Sequence, residues 1–294
     1  MSKRILITGA FGQLGEAVIR ELQPHFDLLA TDIQIVKTKS FLYQVKHLDI
    51  TSRPGVMKIV KNFNPEIIIN MAAYIDVDGC ETNREIAWNV NVRGVEYLLE
   101  AIRRKKTRII HISSDYIFNG ENGPYKEKDI PNPINYYGKT KLASENAIRG
   151  SANPWVILRT NVLYGSSTRS RASFVNWVVT SLRQGKEITV VDDQIGNPTW
   201  TGGLAEAIKM AILLNVRGIF NYGGAEFLSR FQFAQKIANV FECDKSSVVP
   251  VSTDDLNQIA QRPLKSGLIT NKIEDILGLR TYEVEYCLQK IKED

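Results

Sequence analysis

Ser113 and Ser114 close an apolar run, and after a polar loop the chain reads Tyr137-Gly-Lys-Thr-Lys141. On a helix, side chains four positions apart rise from one face, so the Tyr137 phenol and the Lys141 ammonium would stand together. A neighbouring cation stabilises a phenolate, which makes the phenol a readier proton donor and acceptor. Ser114, facing the pair, would hydrogen-bond the oxygen to which the proton goes. Ser114, Tyr137 and Lys141 are therefore the candidate catalytic residues. The spacing alone is weak: Tyr286-Cys-Leu-Gln-Lys290 repeats it on a terminal helix with no serine strand before it, and is read as structural. What separates the first pair from a core tyrosine and a solvated lysine is the set of elements around it.

Those elements begin with Ile5-Leu6-Ile7-Thr8, an apolar run of buried-strand type, followed by Gly9-Ala10-Phe11-Gly12-Gln13-Leu14-Gly15 and a helical pattern up to Pro24. Strand, glycine-rich turn and helix in that order suit a dinucleotide: the glycines let the backbone approach a pyrophosphate, whose charge sits at the helix N-terminus. Gly9, Phe11, Gly12, Gln13, Leu14 and Gly15 are the candidate cofactor residues there. A second strand ends at Asp32, 23 positions after Gly9. That is close to the roughly 20 expected of a carboxylate on the adenosine ribose. An acid there would repel a 2′-phosphate and tilts the cofactor towards NAD(H) over NADP(H), although Lys37 and Lys39 nearby blunt the tilt. Asp49, with Ile50 beside it, could reach the adenine or cap the helix Gly55–Phe63, for which Thr51 is an equally good cap. Ile67–Asn70 is a third buried strand, and the small residues Ala72 and Ala73, with Tyr74, follow where a nucleotide could cross the sheet edge.

Arg84 to Arg104 fits one long amphipathic helix, with Asn89 and Asn91 on or beside its apolar face, where a buried amide could brace the active-site backbone. Arg108–Ile112 is a fourth strand and delivers Ser113 and Ser114 at its carboxyl end, the edge at which open α/β sheets bind ligands. Pro154–Arg159 reads as a fifth. Regular alternation to this point predicts an α/β fold: a Rossmann-type, doubly wound parallel sheet. Beyond Arg159 the pattern loosens into a polar loop from Gly165 to Ser170, a strand Ile188–Val191, a loop Asp192–Thr199, a strand Gly218–Tyr222 and terminal helices. The expected division is a nucleotide-binding domain over 1–160 and a smaller C-terminal substrate lobe over 161–294, with parts of 186–222 returning to the first.

The 294 residues carry 44% hydrophobic and 23% charged side chains, as an ordinary globular protein does, and a net charge of +5. Basic residues are scattered, and the one dense cluster, Arg103–Lys106, ends a helix, where cations suit the macrodipole. No nucleic-acid partner is expected. The three cysteines form no paired pattern, no apolar run approaches the roughly 18 residues of a membrane span, and no signal peptide opens the chain. A reducing cytoplasm, no membrane and no dedicated zinc site are the expectations.

Taken together, these residues resemble the extended short-chain dehydrogenase/reductase superfamily, through Thr8-Gly9-Ala-Phe-Gly12-Gln13-Leu14-Gly15 and Tyr137-xxx-Lys141. Within it the chain is most similar to the dTDP-4-dehydrorhamnose reductases, by AAYIDVDGCE at Ala72–Glu81, SSDYIFNG at Ser113–Gly120, YGKTKLASE at Tyr137–Glu145, DQIGNPT at Asp193–Thr199 and Arg262-Pro263. The resemblance implies reduction of the 4-keto group of a nucleotide-linked 6-deoxyhexose, dTDP-4-dehydrorhamnose to dTDP-rhamnose, with NADH or NADPH as hydride source. Tyr137 would be the proton donor, and Lys141 would lower its pKa and hold the nicotinamide ribose. Ser114, in place of the more usual threonine, and Asp115 would touch the sugar, and Arg262 the nucleotide or its phosphates.

Two departures stand out. The family often places a tryptophan against the sugar where Arg159-Thr160-Asn161-Val162-Leu163-Tyr164-Gly165 has Val162, so Val162 enters the substrate site. Some members bind Mg²⁺ at a dimer contact through an acid two residues beyond the last motif glycine; here that residue is Ala17, and no such metal is expected, while a homodimer stays open. Sister 4,6-dehydratases need an Asp-Glu pair where this chain has Asp115-Tyr116. A nucleotide-sugar epimerase, or a non-catalytic regulatory subunit like that of methionine adenosyltransferase, are the alternatives on the same scaffold.

Overall fold

The computed structural model describes residues 2–35, 42–166 and 173–294. Lys37, Lys39 and the 167–170 part of the expected polar loop lie outside the described residues. The first half runs β1 (Arg4–Thr8), α1 (Gln13–Leu22), β2 (Asp27–Asp32), β3 (Gln44–His47), α2 (Arg53–Phe63), β4 (Ile67–Asn70), α3 (Val77–Thr82), α4 (Arg84–Trp88), a π-helical segment (Asn89–Arg93), α5 (Gly94–Ile102), β5 (Arg108–Ser114), α6 (Tyr136–Arg149) and β6 (Trp155–Thr160). The second half adds β7 (Leu163–Tyr164), α7 (Phe174–Arg183), β8 (Ile188–Val191), β9 (Ile195–Gly196), β10 (Thr199–Trp200), α8 (Thr201–Leu213), β11 (Gly218–Tyr222), β12 (Leu228–Ser229), α9 (Arg230–Val240), β13 (Val248–Val251), α10 (Asn271–Leu277) and α11 (Val284–Glu293).

The expected doubly wound parallel sheet is present, with seven strands in the order β11-β6-β5-β4-β1-β2-β3. Its middle strands are almost wholly apolar because both faces are covered. On one face Ile5, Ile7 and Ile69 meet Val18 and Leu22 of α1 and Ile208 and Ile212 of α8. On the other, Leu6 and Ile68 meet Val56 and Val60 of α2, Leu98 and Ile102 of α5 and Ile148 of α6. The chain reverses its winding between β1 and β4, which pair directly, so the crevice at their carboxyl ends is the natural ligand site. A separate core of Val178, Phe233, Ile237, Val248 and Leu288 joins α7, α9, α11 and the β8–β13 pair. β11 lies beside β6 in the main sheet, whereas β8 pairs with β13 apart from it.

Several details differ from the sequence expectation. β3 is an extra edge strand; Gln44-Val-Lys-His47 is mostly exposed and carries no apolar run to announce it. The helix expected over Arg84–Arg104 is broken by the π-helical segment, a local widening often found at functional sites. The cap of α2 is neither Asp49 nor Thr51 but Ser52, whose hydroxyl accepts from Gly55 N–H at 3.3 Å. Among the described residues no helix is long and apolar enough to cross a membrane.

Candidate active site

The turn after β1 needs its glycines for two different reasons. Gly9 sits at φ +69°, and a Cβ there would lie 2.7 Å from the Ala72 nitrogen; on Gly15 it would lie 2.4 Å from the Ala10 oxygen. Both permit close backbone packing. Gly12 is different: the nearest atom to a Cβ there is Gly9 O at 3.4 Å, so its bareness leaves open space on the cleft side. Gly12 is also the N-cap of α1 and supplies no side-chain cap, so the first N–H groups of the helix are left for a ligand. The crevice above them is a cleft of about 740 Å³.

Gly9, Gly12, Gln13, Leu14, Gly15, Asp32, Asp49, Ile50, Ala72, Ala73, Tyr74, Ser114, Asp115, Tyr137, Lys141 and Val162 all line that cleft. Phe11 and Arg262 do not. The Phe11 side chain is buried, and its N–H donates to Asp32 Oδ2 at 3.0 Å, while Asp32 Oδ1 accepts from Gln34 N–H at 3.1 Å. The carboxylate thus ties the glycine turn to the end of β2. Asp49 Oδ1 accepts from both the amide (2.8 Å) and the hydroxyl (2.7 Å) of Thr51, closing a local turn at the cleft wall.

Ser114 is the last residue of β5, and α6 is pressed against the turn that follows it. A Cβ on Gly138 would fall 2.0 Å from the Tyr116 carbonyl, so this glycine lets the first turn of α6 approach. Asn135 caps that turn, accepting from Gly138 N–H at 2.8 Å. Tyr137 thereby meets Tyr116 edge to face, with ring centroids 5.7 Å apart. The Tyr137 phenol is pushed above its usual range, first by burial and then by the Asp115 charge; the Ser114 hydroxyl works the other way. The net direction is upward, opposite to the lowering expected of Lys141, because burial comes first. Lys141 Nζ donates to the Ile112 carbonyl at 2.7 Å, and burial brings its own pKa down to about 8.

A buried polar chain fixes the helix from behind. Thr8 Oγ1 donates to Asn70 Oδ1 (2.6 Å), Asn70 Nδ2 meets His111 Nδ1 (3.0 Å), His111 Nε2 meets Ser144 Oγ (3.1 Å), and Ser144 Oγ donates to the Lys141 carbonyl (2.7 Å). Burial, and then Lys141, hold the His111 pKa well below its usual range. Of the two candidate braces, Asn91 is the one buried: it accepts from Tyr74 N–H (2.8 Å) and donates to the Tyr74 carbonyl (3.1 Å) and Thr140 Oγ1 (2.9 Å). The π-helical segment is what carries it there.

At the far end of the cleft, Asp115 Oδ1 accepts from Ser114 Oγ (2.9 Å) and Oδ2 from Asn161 Nδ2 (2.6 Å) and Ser266 Oγ. Burial pushes its pKa up to about 6. Between about pH 4 and pH 6 the folded state therefore keeps a proton that the unfolded chain loses, so stability falls as pH rises through that window. Asp115→Asn should gain stability relative to the parent, from pH 4 to pH 7, by a difference on the order of 3 kcal/mol. Denaturant midpoints of the two proteins at both pH values measure it, and a pH-independent difference would assign the titration elsewhere.

Arg262 does not itself line the cleft: its Nη2 pairs with Asp78 Oδ2 of α3 at 3.0 Å. Besides Lys141, the cation lining the cleft is Arg230, the first residue of α9, which lies over the Phe174 ring at 5.6 Å. Burial raises the Tyr116 pKa, and Arg230 lowers it against that rise. In the sequence it reads only as a helix start. Among the described residues no group of three or more His, Cys, Asp or Glu side chains is placed to hold a metal ion.

The chain matches the family described as the RmlD substrate binding domain over residues 3–294. It is 35% identical to the dTDP-4-dehydrorhamnose reductase of Aggregatibacter actinomycetemcomitans, covering 98% of each chain. It is 33% identical to methionine adenosyltransferase 2 subunit beta of Bos taurus, over 95% of this chain and 84% of that one. A crystal structure of dTDP-4-dehydrorhamnose reductase from Bacillus anthracis in complex with NADP superposes with a TM-score of 0.90 at 32% identity, covering 100% of this chain and 99% of that one. On the whole-length match and on these identities, the chain belongs to the RmlD substrate-binding-domain family.

Proposed function

We propose that this protein is an NAD(P)H-dependent oxidoreductase that reduces the 4-keto group of a dTDP-linked 6-deoxyhexose, converting dTDP-4-dehydrorhamnose to dTDP-rhamnose. The observation that carries the reading is that Ser114, Tyr137 and Lys141 open onto the same cleft as the glycine turn. The cradle fits a dinucleotide: an uncapped helix N-terminus suits a pyrophosphate, and Ala72, Ala73 and Ile50 offer an apolar wall for its base. When bound, a reduced nicotinamide supplies the hydride. Tyr137 supplies the proton, since a phenol stays protonated throughout the neutral range until charge develops on the carbonyl oxygen beside it. Ser114 orients the carbonyl oxygen against that phenol. Lys141, whose ammonium donates to the Ile112 carbonyl, lines the same cleft and holds the nicotinamide ribose in this reading.

Residues 1–160 hold the cofactor in this reading, and the 161–294 lobe closes over the sugar. Asp32 supports a tilt towards NAD(H). Arg230 is the cation placed for the substrate diphosphate, the role expected of Arg262. The three cysteines are unpaired, which supports a reducing, cytoplasmic setting.

Mixing the protein with dTDP-4-keto-6-deoxyhexose and NADH or NADPH should consume the reduced cofactor. No turnover with either would sink the proposal. Interconversion of sugars without net consumption would favour the epimerase, and stable association with a synthetase in place of turnover the regulatory subunit. Gly12→Val tests the cradle separately, because the Cβ meets nothing closer than Gly9 O at 3.4 Å and the branched side chain takes up cleft space. It should weaken dinucleotide binding about tenfold or more, the equivalent of one lost charge-assisted hydrogen bond, at a cost in stability of about 1 kcal/mol. Unchanged affinity by titration would place the dinucleotide elsewhere.

A further inference from the structure

Beside the sugar end of the cleft lies a second, much smaller hollow of about 20 Å³. About 10–15 Å³ suffices for one water, so it has room for a single hydroxyl. It shares Asp115, Tyr116, Val162 and Arg230 with the cleft, and the two therefore adjoin where the sugar would lie.

Asn161 forms part of its wall and is 1% exposed. The amide nitrogen donates to Asp115 Oδ2 at 2.6 Å and faces Ser266 Oγ at 3.4 Å, which fixes the way the side chain points. Its Oδ1 is buried with no hydrogen-bond partner among the described residues. Buried acceptors are nearly always met, so an unmet one in a cleft wall asks for a donor. Gly196 makes room for the amide itself: a Cβ there would lie 2.6 Å from Asn161 Nδ2 and 2.8 Å from Oδ1. The next residue, Val162, is held at φ +31°, a conformation that β-branched side chains rarely adopt. Thr199 N–H pins it by bonding the carbonyls of Asn161 (3.2 Å) and Val162 (3.0 Å). Strain of this kind persists where the surroundings enforce it, and it clusters at ligand sites.

Distance along the hydrogen bonds indicates which part of a ligand would arrive. Ser114 Oγ and Asn161 Nδ2 both donate to the Asp115 carboxylate, so Asn161 is two hydrogen bonds from the hydroxyl that faces the reacting carbonyl. Building on the reductase reading, we propose that this hollow is a specificity subsite that takes a hydroxyl on the carbon next to the reacting carbonyl, whose O–H donates to Asn161 Oδ1. A sugar lacking that hydroxyl leaves the acceptor unmet, and a site built to hydrogen-bond a substrate group discriminates strongly against its loss.

The test is steady-state kinetics of the full chain, with saturating reduced cofactor, on dTDP-4-dehydrorhamnose and on its 3-deoxy analogue. The parent should prefer the hydroxylated sugar by at least about tenfold in kcat/KM. Asn161→Leu should abolish the preference by losing rate on that sugar alone, whereas a packing defect would slow both sugars alike and leave their ratio intact. A parent ratio near one overturns the proposal. So does an Asn161→Leu variant that keeps the parent ratio, the outcome expected if the hollow holds a structural water only. Should that variant fail to fold, as judged by its melting transition, the parent ratio alone decides. A parent that reduces neither sugar removes the reductase reading and the subsite with it; equal reduction of both removes the subsite alone.

Discussion

Tyr137→Phe is expected to lower kcat by about 10²–10⁴-fold, the usual contribution of a positioned general acid. The substitution removes one oxygen from a ring that Tyr116 holds edge to face at 5.7 Å, so the ring should stay where it is. The groups beside it are poor substitutes: Ser114, which bonds the Asp115 carboxylate at 2.9 Å, is an alcohol and a far weaker acid than a phenol, and the Lys141 ammonium is turned to the Ile112 carbonyl at 2.7 Å. The loss should fall on kcat and kcat/KM together, because the proton is needed only as charge develops on the carbonyl oxygen. Dinucleotide affinity, measured by fluorescence titration, should stay close to the parent's. A fully active variant would mean that another group delivers the proton.

That prediction was within reach of the sequence, and the reason is local. Strand, glycine turn and helix are set by neighbouring residues, and so are the serines at the end of β5 and the Tyr–Lys spacing on α6. Such features survive as pattern. The polar residues at the sugar end do not, because they come from separate parts of the chain: Asp115 after β5, Asn161 after β6, Arg230 on α9 and Ser266 beyond β13. Only the closed fold brings them together. Arg262 shows the converse, a motif residue whose charge is taken by Asp78 at 3.0 Å. Electrostatics were equally hidden. Spacing put Lys141 beside Tyr137, but burial of both groups, and the carbonyl that receives the ammonium, decide what each does to the other.

Glu145→Leu should be the most destabilising single change near the site. Glu145 is on α6, the helix of Tyr137 and Lys141, and it meets Arg159 of β6 through two parallel bonds, Nε to Oε1 at 3.0 Å and Nη2 to Oε2 at 2.8 Å. Both side chains are buried, with exposures of 2% for Arg159 and 0% for Glu145. The guanidinium also donates to the Glu127 carbonyl at 3.2 Å and lies 5.4 Å from the Phe118 ring centroid. Two charges withdrawn from water offset each other here only while both remain. Removing the acid strands Arg159 in the interior, at a cost of about 3–5 kcal/mol, a large share of a domain's stability. The denaturant midpoint should fall accordingly, with an unchanged slope if the native state stays compact. Pairing the change with Arg159→Met should restore much of the loss, since apolar side chains of similar volume replace a buried ion pair at little net cost. The single substitutions would then be strongly non-additive. A single variant that loses less than about 1 kcal/mol, or a double variant that loses the sum of the two, would mean that α6 is held on the sheet by its apolar contacts, led by Ile148, and not by this pair.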